Sequence, residues 1–168
     1  MMYVAPLIGW GSLLLFGLFL VAGSFVAIRL GLSERQALLW DGALSLLFFV
    51  QHSGMVRVSF RKRLASVVAD HYHPAIYTIV SALVLVAAIL LWQSSEKVLW
   101  QAEGFLRWLL RGLILPAVAG FAWGVRALEN FDAFGIGPIR SHLHGKPLRS
   151  PNFVIRGPYL WVRHPLYF

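Results

Sequence analysis

Four long runs of apolar positions, each with few charges or none, set the rhythm of this chain. They fall at about 7–28, 37–56, 74–92 and 108–128. A helix needs roughly 20 apolar residues to cross the hydrocarbon core of a bilayer, so each run predicts a membrane-spanning helix. The first run carries no charge, has no basic stretch before it and exceeds the apolar core of a secretion signal, which predicts a retained span. Its Gly9, Gly11, Gly17 and Gly23 suit close helix contact in lipid. The second run contains Asp41, Gln51 and His52, while the third is nearly unbroken. The fourth has Arg111 near one end and Pro116 inside, which predicts a kink.

Composition agrees with that rhythm. Hydrophobic residues make up 58% of the chain and charged residues 13%, with a mean hydropathy of +0.69. Soluble domains usually carry about 25% charged residues, so a water-facing surface would be hard to assemble. The bilayer is the expected partner. With no cysteine, a disulfide framework, a thiolate metal site and a thiol nucleophile are all excluded. A net charge of +8 suggests nucleic acid until its residues are placed, and then much of it flanks the apolar runs. With a cytoplasmic N-terminus, ten basic residues (Arg57, Arg61, Lys62, Arg63, Arg126, Arg140, Lys146, Arg149, Arg156, Arg163) lie inside and five outside. The positive-inside rule selects this orientation, and no nucleic-acid partner is expected. The predicted fold is an all-α integral membrane protein. Residues 1–128 hold four transmembrane helices, and residues 129–168 form a cytoplasmic interfacial segment leading into a fifth helix.

That last segment is rich in glycine, proline, aromatic and basic residues, too broken to span and too aromatic for a free tail. Gly157-Pro158 predicts a turn. Tyr159 and Arg163 share a face if the residues between them are helical. Pro165 suits the first position of a new helix, with His164 at its cap and unpaired amides there to attract an anion. A guanidinium, an imidazole, two phenols and a helix start suit a ligand bearing a carboxylate and an aromatic face. An interfacial anchor of the Arg/Trp/Tyr kind uses the same residues.

Other polar positions divide between function and structure. Gln51, His52 and Ser53, followed by Arg57, line a substrate entrance or hydrogen-bond between helices. Asp41 is expected to pair with Arg107 or Arg111 as a structural contact. His71, His73, His142 and His144 form two His-x-His pairs, whose rings point together only on an extended strand. They read as interfacial histidines, and no metal site is expected. Arg61-Lys62-Arg63 reads as a headgroup contact.

The run GPYLWVRHPLYF resembles the G-x-Y-x-x-x-R-H-P-x-Y signature of membrane methyltransferases related to isoprenylcysteine carboxyl methyltransferase and the phospholipid methyltransferases. FDAFGIGPIRSHLHGKP and QHSGMVRVSFRKRL resemble the bacterial branch containing methanethiol S-methyltransferase and the NnrU-type membrane proteins. The resemblance runs from about residue 45 to the end. It implies S-adenosylmethionine as cofactor, held at the cytoplasmic face of the bacterial inner membrane by Gly157, Tyr159, Arg163, His164, Pro165 and Tyr167. Within that set Tyr159 and His164 line the pocket, and Arg163 meets the methionine carboxylate or a membrane phosphate. The acceptor is a small thiol or a lipid-like molecule, approaching past Gln51, His52, Ser53 and Arg57; no catalytic acid or base is assigned. The family continues through further helices to an acidic pair and a tyrosine-bearing tail, so the chain reads as a truncated version of a longer protein, with methyltransferase activity expected of the full-length form. The alternative is a non-catalytic NnrU-like accessory protein of a respiratory or nitrogen-oxide pathway.

Overall fold

A computed structural model of the protein describes residues 1–25, 27–95, 101–128, 132–147 and 157–161. Among them every regular element is helical and there is no strand. Helix α1 (Val4–Ala22) ends at Gly23, whose φ of 89° takes the chain out of the helix while its N–H still reaches Phe19 O. The apolar run goes on to Ile28, but the helix does not, because hydropathy carries no information about a left-handed glycine. Helix α2 (Glu34–Met55) starts at a capping box: the Gln36 side chain accepts from the Ser33 N–H at 2.9 Å and from its hydroxyl at 2.8 Å. Its continuation, α3 (Val58–Leu64), is turned 75° away from it.

A short 3-10 turn at Asp70–Tyr72 leads into α4 (His73–Leu91), with Pro74 in the first turn where a missing N–H costs nothing. The fourth apolar run is two helices, α5 (Gly104–Gly112) and α6 (Ile114–Ala127). The break falls where Pro116 has no N–H to offer Gly112, four residues back, and crowds its carbonyl. Helix α7 (Ile136–Leu143) is short, and Asp132 caps it by accepting from the Gly137 N–H at 2.6 Å.

Among the described residues three stretches are long and apolar enough to cross a membrane: Val4–Ala22, Asp70–Leu91 and Gly104–Ala127. The count rises to four if α2 and α3 are taken as one bent span. Large apolar side chains stand outward along them, Leu7 at 76% and Leu39 at 69% exposure among them. The protein is an integral membrane protein.

The chain divides into two compact units. The first comprises Met1–Lys97 with Asp132–Leu148, and the second Val98–Phe131 with Arg149–Phe168. In the first, α1 and α4 lie side by side and α2 packs on α4. The seam is made of small side chains, Ala5 with Ala75, and Ile139 of α7 closes over them. Lipid offers no hydrophobic drive for helix pairing, so close approach through small residues takes its place. Gly9 serves that seam: a Cβ there would stand 2.5 Å from Phe134 and 3.2 Å from Thr78. A Cβ added at Gly11 or Gly17 would meet nothing within 4 Å beyond its own helix, so neither serves that seam.

At the other end of the unit, one glutamine binds three pieces of chain. Gln93 donates through Nε2 to Ile28 O at 2.9 Å and Leu91 O at 2.8 Å, and its Oε1 accepts from Leu30 N at 3.1 Å. Its own N–H donates to Asp41 Oδ1 at 2.9 Å. Within its own unit Asp41 is thus held by a backbone amide, whereas Arg107 and Arg111, its expected partners, belong to the other unit. The antiparallel run of α2 against α4 brings Asp41 to the second amide beyond α4, that of Gln93, while the first, that of Trp92, donates back to Ile89 O. In the second unit, α5 meets α6, and the 3-10 turn Gly157–Leu160 lies against α6.

Candidate functional site

In the first unit a cleft of about 190 Å3 opens where α2, α3 and α4 converge. Met55 and Val56 come from the end of α2 and its bend, Phe60, Arg61 and Leu64 from α3, and His73, Pro74 and Tyr77 from the start of α4. The bend exists because Arg57 is extended (φ -67°, ψ 142°) and starts a new helix. It brings Phe60, Arg61 and Leu64 of α3 to the cleft. Arg61 has no side-chain partner among the described residues, so its charge is available to whatever enters. His73 is committed: its Nε2–H donates to Val68 O at 2.9 Å, and its Nδ1 stands 3.6 Å from Asp70.

Beside the cleft, α2 and α4 exchange polar contacts. The Tyr77 hydroxyl stands 2.9 Å from His52 Nε2 and 3.0 Å from Nδ1, and the His52 ring stacks on Phe48 at 5.2 Å. One turn along α4, Ser81 Oγ accepts from Gln51 Nε2 at 3.1 Å. Gln51 Nε2 also reaches Met55 Sδ at 3.0 Å, while its Oε1 is enclosed with no partner among the described residues. Of the four positions expected at a substrate entrance, Gln51 and His52 therefore share one interface with α4. Arg57 stands exposed at the α3 start, and Ser53 is half-buried.

Tyr77, Ser81 and Arg61 were not singled out from the sequence as site residues. Tyr77 carried a signal, since it is the only phenol inside the third apolar run and lies one turn after Pro74. The two His-x-His pairs also meet across elements rather than within themselves. His71 and His142 stack with ring centroids 3.8 Å apart and planes 11° from parallel. Among the described residues no three or more potential ligands gather around a metal position.

In the second unit the signature motif enters as the turn Gly157–Leu160. Gly157 has φ 58°, and a Cβ there would stand 3.3 Å from Ala127 Cβ and 3.4 Å from Trp123 Nε1. Glycine is what lets this turn reach α6. Tyr159 is half-buried, and burial pushes its phenol above the usual tyrosine range. Trp161 meets Trp123 edge-on at 5.7 Å. Arg163, His164, Pro165 and Tyr167, and with them the fifth helix, lie outside the described residues.

Comparison with known proteins then places the chain. The profile of the NnrU protein family matches residues 42–168, which include both the cleft and the signature motif. The chain belongs to the NnrU family. Among curated relatives of this NnrU-family chain, the methanethiol S-methyltransferase of Pseudomonas deceptionensis is 37% identical over 147 residues, covering 82% of this chain and 53% of that protein. Methanethiol S-methyltransferase 2 of Bradyrhizobium diazoefficiens is 31% identical over 132 residues, covering 78% of this chain and 51% of its own length. The Mycobacterium tuberculosis enzyme of the same name is 27% identical over 134 residues, covering 78% and 54%. The chain thus spans about half the length of the curated relatives it matches. No solved structure matches it significantly.

Proposed function

We propose that this NnrU-family chain belongs to a membrane-embedded methyltransferase that uses S-adenosylmethionine and transfers its methyl group to a small thiol or lipid-like acceptor. The observation that carries this reading is the similarity to methanethiol S-methyltransferases along 82% of the chain. The described turn supports it. A glycine that admits close backbone approach, a half-buried phenol and two edge-on tryptophans make a surface suited to a flat aromatic ligand. S-Adenosylmethionine supplies an electrophilic methyl group on a sulfonium, so the protein's task is orientation and exclusion of water.

In this reading Gly157 and Tyr159, with Arg163, His164, Pro165 and Tyr167, hold the cofactor, and Gln51, His52, Ser53 and Arg57 belong to the acceptor side. Residues 1–128 cross the inner membrane four times, α2 with its bent continuation counting as one crossing. The N-terminus and residues 129–168 face the cytoplasm, where the ten basic positions collect.

Saturable binding of S-adenosylmethionine to the product of the complete reading frame, purified in nanodiscs, tests the proposal by calorimetry. Arg163→Ala and His164→Ala are each expected to weaken it by about tenfold, as for loss of a charge-assisted hydrogen bond. No binding by the unsubstituted protein overturns the enzyme reading in favour of a non-catalytic accessory role.

A further inference from the structure

We infer that Tyr77 and His52 form a proton relay serving a small thiol seated in the cleft between α2, α3 and α4. The inference rests on the methyltransferase reading and adds to it a route for the acceptor's proton.

Size comes first. A cleft of about 190 Å3 is smaller than the roughly 300–1,000 Å3 of pockets for drug-sized ligands, and so suits a molecule of few heavy atoms. Met55, Phe60 and Leu64 give it apolar walls that match a thiol's alkyl group. Apolar surroundings also create a difficulty. They disfavour the thiolate, and the thiolate is the nucleophile. A site of this kind needs a cation to favour the anion and a base to take the proton.

Both are in place. Arg61 lines the cleft with no side-chain partner among the described residues. Of the two histidines nearby, His73 already donates its Nε2–H to Val68 O. His52 is the better base: Tyr77 lines the cleft, and its hydroxyl stands 2.9 Å from His52 Nε2 and 3.0 Å from Nδ1. An imidazole on an apolar span is costly to keep, and the phenol is the partner that accounts for its place there. In the proposed step the thiol S–H bond breaks heterolytically and its electron pair stays on sulfur. The proton passes to the Tyr77 oxygen as Tyr77's own proton moves to His52 Nε2. Tyr77 ends unchanged, and the cleft holds a thiolate beside Arg61 with an imidazolium behind it.

The test pairs a spectroscopic arm with a kinetic one, using the complete protein in nanodiscs. With 15N-histidine labelling, ethanethiol at neutral pH is expected to shift the His52 resonances (assigned by their loss in His52→Gln) from the neutral to the protonated pattern. Tyr77→Phe, which keeps the ring and removes the hydroxyl, is expected to abolish that shift. If His52 stays neutral when ethanethiol binds, the relay is overturned whether or not methyl transfer occurs. In the kinetic arm, Tyr77→Phe and His52→Gln should lower transfer to ethanethiol on the order of 100-fold, the usual scale of general-base catalysis. Both should leave transfer to thiophenol, which ionises at neutral pH unaided, largely intact. Equal loss for the two thiols points to a structural role and overturns the relay. An unsubstituted protein that shows the His52 shift yet methylates no acceptor overturns the methyltransferase reading instead.

Discussion

At Gly135 two constraints coincide. Its φ of 70° lies in the left-handed region, and a Cβ would stand 2.4 Å from the carbonyl carbon of Pro74. Backbone cannot swing aside as a side chain can, so Gly135→Ala should cost about 3 kcal/mol from strain and overlap together. Gly9→Ala meets side chains alone, the Phe134 ring at 2.5 Å and Thr78 Cγ2 at 3.2 Å, and should cost about 1 kcal/mol, because that ring can turn. Thermal unfolding in detergent, followed by tryptophan fluorescence, ranks the two; a Gly9 variant weaker than the Gly135 variant contradicts this packing. At the opposite end, Asp41→Asn keeps an oxygen for the Gln93 N–H and should be nearly neutral, whereas Asp41→Leu should lose about 2 kcal/mol by stranding a buried donor. Equal stability of the two variants would show that the Gln93 amide has another acceptor.

The elements show where residue patterns act over longer stretches. Pro116 divides one apolar run into α5 and α6, so Pro116→Ala should let them continue as a straighter rod. Spin labels at positions 105 and 121 should then read a longer separation by pulsed EPR. Asp132 holds the start of α7 from outside the helix, and Asp132→Ala should cost about 1 kcal/mol and speed amide exchange across Ile136–Leu143. The spans were legible because burial in lipid demands apolar length, and α4 lies within about a residue of its predicted limits. The end of α1 was not, since Gly23 stops it inside an apolar run. Nor was α3, where a basic sequence hides the fact that Phe60 and Leu64 turn inward to the cleft.

Orientation is a property of the whole molecule, and the cysteine-free sequence lets single introduced cysteines report it. A single cysteine at Ser66, just beyond the basic α3, should react with an impermeant maleimide only in inverted membrane vesicles. One at Ser24, just beyond α1, should react only from the outside of intact cells. The reverse pattern would invert the assignment of α3 and its cleft to the cytoplasmic face. A substitution that neutralises Arg61 and Arg63 should weaken this preference, since the bias comes from the count of positive charges near span ends.

The sequence by itself determined the solvent, the approximate spans and the family. Hydropathy sums over many residues, and the motif from Gly157 onward is local, so neither depends on how helices are arranged. The tertiary structure decided the partners. That Asp41 meets the Gln93 amide, that His71 stacks on His142, and that Tyr77 stands between His52 and a cleft are consequences of helix register. One residue of slip along α4 rotates its contact face by about 100°, and the packing of α1 and α2 on α4 sets that register. Such contacts join positions far apart in the chain, and no pattern within a single helix encodes them.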